Sequence, residues 1–218
     1  MGHDAVFFLD FISPYTWLAL ERAEAFAREH AVRWEIAPVV YGAILTARGL
    51  VGPVETPDKR RYTFMDVARS AARARVPFAG PPAHPFRSLD ALRVMTLFAN
   101  EPVAARLARA LSHAAWSDGR DLTDAGVLSD VVGACGLDAK GLEQRIAAPA
   151  VKDALRASTE RALAAGVFGV PTFLWNGELF WGHDRMDQLA DRIAGRLPDP
   201  APLAAAALAR PIGVMRKP

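Results

Sequence analysis

Ser13 is the side chain whose setting suggests chemistry. It stands in Leu9-Asp10-Phe11-Ile12-Ser13-Pro14-Tyr15-Thr16-Trp17, where an apolar run gives way to helical spacing. Pro14 suits the first position of a helix, where its missing N–H costs nothing, so Ser13 takes the N-cap. A hydroxyl there faces the positive end of a helix and can help to hold a phosphate, a carboxylate or a thiolate. Equally, it can do no more than cap its helix, and this stretch alone favours the cap. The single cysteine, Cys135, lies at a helix end in Val131-Val132-Gly133-Ala134-Cys135-Gly136-Leu137. Nothing beside it would lower its pKa, so it reads as a buried structural thiol. One cysteine also excludes a disulfide within the chain.

The elements that position Ser13 follow from periodicity. Ala5-Val6-Phe7-Phe8-Leu9 is a continuous apolar run, the mark of a strand covered on both faces. Trp17, Leu20, Ala23 and Ala27 then recur at helical intervals to His30, and Val32–Pro38 alternates as a second strand that proline ends. Strand, crossover helix and strand predict a right-handed βαβ unit with a parallel pair. A short helical turn at Tyr41–Leu45 leads into a Gly/Pro-marked loop over 49–57.

From Asp58 to Ala165 no strand is expected. The spacing predicts helices at Lys59–Arg75, Ser88–Asn100, Val103–Asp118, Asp124–Cys135, Ala139–Ala147 and Val151–Ala165, with a rigid proline-rich loop over 77–85. Thr123 and Asp138 are the expected caps of the helices that begin at Asp124 and Ala139. Strands return as Thr172–Trp175 and Glu178–Trp181 around Asn176-Gly177, a strong hairpin signal. A last helix follows Gly182-His183-Asp184-Arg185 and stops at Gly195. From Pro198 the chain is Ala/Pro-rich, with a short helix expected at Leu203–Arg210 and a basic end, Arg216-Lys217.

The 218 residues are 51% hydrophobic and 23% charged, with a net charge of +2, an ordinary globular balance with ample material for a core. No basic run carries interleaved aromatics, so nucleic acid is not an expected partner. No stretch reaches a membrane-spanning length and no leader pattern opens the chain, so a cytoplasmic protein is expected. No metal is expected.

A βαβ front, a helical insertion and a ββα back opened by Val-Pro are the plan of an α/β thioredoxin-like fold. Two motifs sharpen the likeness: Leu9 to Leu18, and Gly166-Val167-Phe168-Gly169-Val170-Pro171-Thr172-Phe173 with Phe180-Trp181-Gly182-His183-Asp184-Arg185. Over residues 5–195 the chain resembles the glutathione-dependent 2-hydroxychromene-2-carboxylate isomerases. Those are relatives of the kappa-class glutathione transferases and, more distantly, of bacterial disulfide oxidoreductases. The resemblance implies a discontinuous thioredoxin-like domain (1–40 and 166–197), a helical insertion subdomain (41–165) and a tail (198–218). It implies glutathione as cofactor, a small aromatic carboxylate as substrate, naphthalene breakdown as setting, and a homodimer.

It also assigns residues. Ser13 occupies the position of the oxidoreductases' cysteine, and a hydroxyl cannot enter a disulfide, so redox exchange is excluded. Ser13 is instead expected to stabilise the glutathione thiolate, which adds reversibly to the substrate's conjugated enone and so permits rotation. Pro171 matches a cis-proline that turns the Val170 backbone toward glutathione. His183 and Asp184 match positions at its γ-glutamyl end, Asp184 reading equally as a cap of the last helix. Lys59 matches a lysine that pairs with the glycyl carboxylate, and Asp66 an acidic position on the ligand side. Leu50 stands where many relatives carry a glutathione-touching asparagine, a loss of about 1–3 kcal/mol of binding if a partner is left unpaired. Phe11, Tyr41, Trp17 and Phe168 are candidates to meet a substrate ring and Arg185 its carboxylate, although most of these aromatics suit the core. Two other readings compete: a kappa-like transferase or peroxidase using the same serine, and a non-catalytic thioredoxin-like binding protein.

Overall fold

The sheet is assembled from the two ends of the chain. In the computed structural model, which describes residues 3–213, strand β1 (His3–Leu9) leads through Ser13 into helix α1 (Pro14–Glu29) and back along β2 (Val32–Pro38). β1 and β2 pair in parallel, from His3 opposite Val32 to Leu9 opposite Pro38. On the other edge of β1, β3 (Thr172–Trp175) runs antiparallel with Phe173 opposite Phe7, and β4 (Glu178–Trp181) completes the order β2-β1-β3-β4. Asn176 and Gly177 take φ of 48° and 81°, the left-handed pair that a two-residue hairpin turn needs.

β1 is therefore an inner strand, and its apolar run is explained by cover on both faces. Phe7 packs toward α1, with its ring 5.8 Å from Trp34 and 4.6 Å from Phe173. Phe8 points the other way, into a smaller cluster with Val39, Ile44, Ala162 and Val167.

Between β2 and β3 the chain is helical: α2 (Tyr41–Arg48), a 3-10 turn (Pro53–Glu55), α3 (Pro57–Ala74), α4 (Leu89–Leu97), α5 (Ala104–Trp116), α6 (Ala125–Ala134), α7 (Leu142–Ala147) and α8 (Pro149–Ala164). This segment shares a core with the sheet, continuous from Phe7 and Trp17 to Leu92, Leu107 and Trp116. Trp17 stacks on Trp116 at 6.5 Å and donates from Nε1 to the Ser117 hydroxyl at 3.1 Å. Trp116 in turn donates to the Phe11 carbonyl at 2.9 Å, so α5 buttresses the loop that carries Ser13.

Two expected caps are corrected. Asp124, not Thr123, caps α6, accepting from the Gly126 and Val127 N–H groups at 2.7 and 3.3 Å; the Thr123 hydroxyl is drawn instead to Asp121 at 2.7 Å. Asp138 accepts from the Lys140 N–H at 2.9 Å and so forms a local turn, after which Gly141 (φ 62°) precedes a helix that starts only at Leu142. Cys135 is buried at the end of α6, where burial pushes its thiol pKa up.

After β4, a 3-10 turn (His183–Arg185) enters α9 (Met186–Ile193), and Gly195 ends it with φ of 71°. The tail helix, α10 (Pro200–Leu208), starts earlier than expected because Asp199 caps the Ala201 N–H at 2.9 Å, and none of its residues is buried. Met1-Gly2 and Arg216-Lys217 lie outside the described residues. No described helix is long and apolar enough to cross a membrane.

Candidate active site

Ser13 is the N-cap of α1, extended at φ −90° and ψ 120°, and its side chain accepts the Thr16 N–H at 3.3 Å. Its own proton goes to the Val170 carbonyl at 3.2 Å, across 157 residues of chain. The Val170–Pro171 bond is cis. Neither the Val170 N–H nor the Tyr15 N–H meets an acceptor among the described residues. A helix N-terminus, a serine hydroxyl and an unpaired N–H thus face one cleft, a set of donors suited to an anionic group.

Beneath Ser13 lies Asp10, 2% exposed. Its two carboxylate oxygens accept the Ile12 N–H at 3.0 Å and the Tyr41 N–H at 2.9 Å. Burial pushes its pKa up, against the opposing hydrogen bonds from Ser88, Ile12 and Tyr41. One side chain therefore ties the Ser13 loop to the start of α2.

Above Ser13 opens a cleft of about 450 Å³. One wall is titratable. The Tyr15 ring stacks on His183 at 5.2 Å and 12°, and its hydroxyl donates to Asp66 at 2.9 Å. Burial and the Asp66 carboxylate raise the Tyr15 pKa, whereas burial lowers that of His183 despite nearby Asp184 and Asp66. A second wall is Tyr41, Gly42 and Leu45 of α2 with the 52–55 turn, whose Glu55 carboxylate accepts the Gly52 N–H at 2.8 Å. His84 closes a third side. Its Nε2 bonds the Ile12 carbonyl at 2.9 Å, its Nδ1 is buried without a partner, and burial lowers its pKa against the opposing Ile12 bond. Trp181, 52% exposed, lies over Gly169 and meets Phe168 edge-on at 4.8 Å.

Of the residues singled out by sequence, Ser13, Asp66, Val170, Pro171, His183 and Asp184 all line this cleft. Lys59 does not; it stands exposed in the first turn of α3, outside the lining. Asp184 does not cap α9, whose N-cap is Arg185 with no side-chain bond; it lies 3.4 Å from the Arg185 guanidinium. Tyr41 and Arg185 reach the cleft, whereas Phe11 and Trp17 are fully buried in the core and Phe168 touches it only through Trp181. Sequence reasoning missed Asp10, Tyr15, Glu55, His84 and Trp181. His84-Pro85 sat inside a loop read only as rigid, and Asp10 gave the one available signal, a carboxylate directly after a buried strand.

The profile of DSBA-like thioredoxin domains matches residues 5–194. A 2-hydroxychromene-2-carboxylate isomerase of Sphingobium xenophagum is 30% identical over 185 residues, which cover 84% of this chain and 94% of that protein. Glutathione S-transferase kappa 1 of Rattus norvegicus is 26% identical over 209 residues, covering 89% and 92%. A solved 2-hydroxychromene-2-carboxylate isomerase superposes with a TM-score of 0.81 at 24% identity, over 95% of this chain and all of the other.

Proposed function

Because this chain belongs to the DSBA-like thioredoxin domain family and stands with its isomerases, we propose that it is a glutathione-dependent cis–trans isomerase. It interconverts 2-hydroxychromene-2-carboxylate and trans-o-hydroxybenzylidenepyruvate, or a related aromatic enone acid. The observation that carries this reading is Ser13, a hydroxyl at the start of α1 beside cis-Pro171 and the unpaired Val170 N–H.

Glutathione, when bound, supplies a thiol that adds reversibly to the conjugated double bond, which rotates while it is single. The chain's own groups do the rest. Ser13 turns its proton from the Val170 carbonyl to the sulfur, and the Tyr15 N–H and the α1 dipole favour the thiolate. The Val170 N–H and carbonyl bind the cysteinyl backbone in strand fashion. Asp66 and Asp184 face the ligand's ammonium and His183, stacked on Tyr15, fixes that wall. The mostly apolar remainder of the cleft excludes water from the reacting carbons. Reduced glutathione is plentiful in the cytoplasm, which suits this site, and breakdown of naphthalene-like aromatics is the setting the substrate implies. A homodimer belongs to the same reading.

The test is to follow trans-o-hydroxybenzylidenepyruvate by its absorbance with and without glutathione. Conversion that needs glutathione and returns it unconsumed is expected; conversion independent of it, or none, refutes the reading. The likeness to kappa 1 favours a second reading, a transferase, in which glutathione is consumed into product.

A further inference from the structure

Reversible thiol addition to an enone moves charge. As the S–C bond forms, the electron pair of the C=C shifts onto the carbonyl oxygen; as that bond breaks, the pair returns and the double bond re-forms. Without a donor at that oxygen the charge gathers in an apolar cleft, where it is costly. Ser13 is committed to the sulfur, so another group must serve.

Most polar groups of the cleft are already engaged. The Tyr15 hydroxyl donates to Asp66, His84 Nε2 is paired with the Ile12 carbonyl, and Arg185 lies against Asp184. The Tyr41 phenol is different. It lines the cleft, and its hydroxyl has no hydrogen-bond partner among the described residues and is not a buried atom, so it is open to a ligand. Thr63, the Trp181 indole and His183 also line the cleft, but His183 is stacked on Tyr15 in the opposite wall, and a phenol is far more acidic than a hydroxyl, an indole or a neutral imidazole and so best matched to an oxygen that takes up charge. Placement agrees. Asp10 holds the Ile12 N–H and the Tyr41 N–H with its two oxygens, fixing the tyrosine relative to the loop that presents Ser13. The enone oxygen is three bonds from the carbon that takes sulfur, so both donors must act within one cleft.

We propose that Tyr41 is a catalytic residue of the isomerisation, its phenol O–H donating to the enone carbonyl oxygen and holding the charge that forms there. The proton stays on the phenol and only the hydrogen bond strengthens, so no co-reactant is needed. Burial, with the Glu55 and Asp10 carboxylates nearby, raises the Tyr41 pKa and keeps the group a donor across the neutral range. This assignment rests on the isomerase reading.

The experiment compares unaltered protein with Tyr41→Phe, which keeps the ring and its packing. In the absence of glutathione, the absorption band of bound trans-o-hydroxybenzylidenepyruvate shifts to the red on the unaltered protein, as a hydrogen-bonded carbonyl requires, and the shift is lost in Tyr41→Phe. With glutathione, kcat falls about 100-fold, as for removal of one oxyanion donor, while thiolate absorbance of bound glutathione and the melting temperature are unchanged. Unchanged kcat and an unchanged band in Tyr41→Phe overturn the assignment and leave the isomerase reading standing. Absence of glutathione-dependent turnover by the unaltered protein overturns that reading, and the assignment with it.

Discussion

Gly169→Ala is a one-carbon perturbation whose consequence can be worked from the structure. A Cβ built on Gly169 would collide with Trp181 Nε1 and fall 2.9 Å from Cε2 and 3.2 Å from Cδ1, where ordinary contact begins at 3.4 Å. Something must retreat by about 1 Å, and the backbone is the stiffer party. The Gly169 carbonyl is held by the Thr172 hydroxyl at 2.7 Å, and Val170-Pro171 follows directly. The indole, half exposed, has to tilt and give up its edge contact with Phe168. Overpacking of this kind costs about 1–3 kcal/mol. Gly169 is not in a left-handed conformation, so alanine also restricts the unfolded chain, returning about 0.4–1 kcal/mol. Urea denaturation should therefore show a net loss in the unaltered background. In a Trp181→Ala background the same Gly169→Ala change should be neutral or stabilising. Equal effects in both backgrounds would refute the claim that the indole is what Gly169 makes room for. Because Trp181 lines the cleft, the single variant should also raise KM for an aromatic substrate.

Other expectations concern the site and its supports. Ser13→Ala should cost about 1 kcal/mol of stability as a lost cap, and should raise the pKa of bound glutathione by roughly 1–2 units; an unaltered thiolate titration at 240 nm would rule out the serine as thiol activator. Burial lowers the pKa of both His84 and His183, so the unfolded chain takes up protons below the ordinary 6.5 before the fold does. Stability should accordingly be full above that pH and decline beneath it, with Asp10, raised by burial, opposing the trend at lower pH; His183→Gln should flatten the decline in melting temperature between pH 7 and 5.5, and a rise on acidification would contradict it. Trp116→Phe strips the Phe11 carbonyl of its donor and should cost about 1–3 kcal/mol by chemical denaturation, with reduced turnover because that carbonyl lies two residues from Ser13; no loss would mean the bond is dispensable.

How much of this was legible beforehand depends on how far apart the interacting residues lie. The junction of β1 and α1 could be read because its signals are local: an apolar run, a serine and a proline, all within ten residues. The hairpin was legible for the same reason, since Asn176-Gly177 states its own backbone conformation. Caps were less secure, because Thr123 and Asp124 are both competent and the choice turned on Asp121, which captured the threonine hydroxyl. The cleft could not be read from local pattern at all. Its titratable wall joins Tyr15 to Asp66 and to His183, and Asp10 reaches Tyr41 across 31 residues, so only the closed sheet and the packing of α3 and the His183–Arg185 turn against α1 bring them together. Family resemblance supplied Asp66 and His183 where periodicity could not, but it transfers a residue type without its surroundings. Lys59 shows the limit. Periodicity correctly made it helical, yet the direction in which the first turn of α3 faces follows from the path of the 49–57 loop. That loop brings Gly52, Pro53, Val54 and Glu55 to the cleft and leaves Leu50 and Val51 exposed outside its lining, an arrangement that only the folded path of the loop decides.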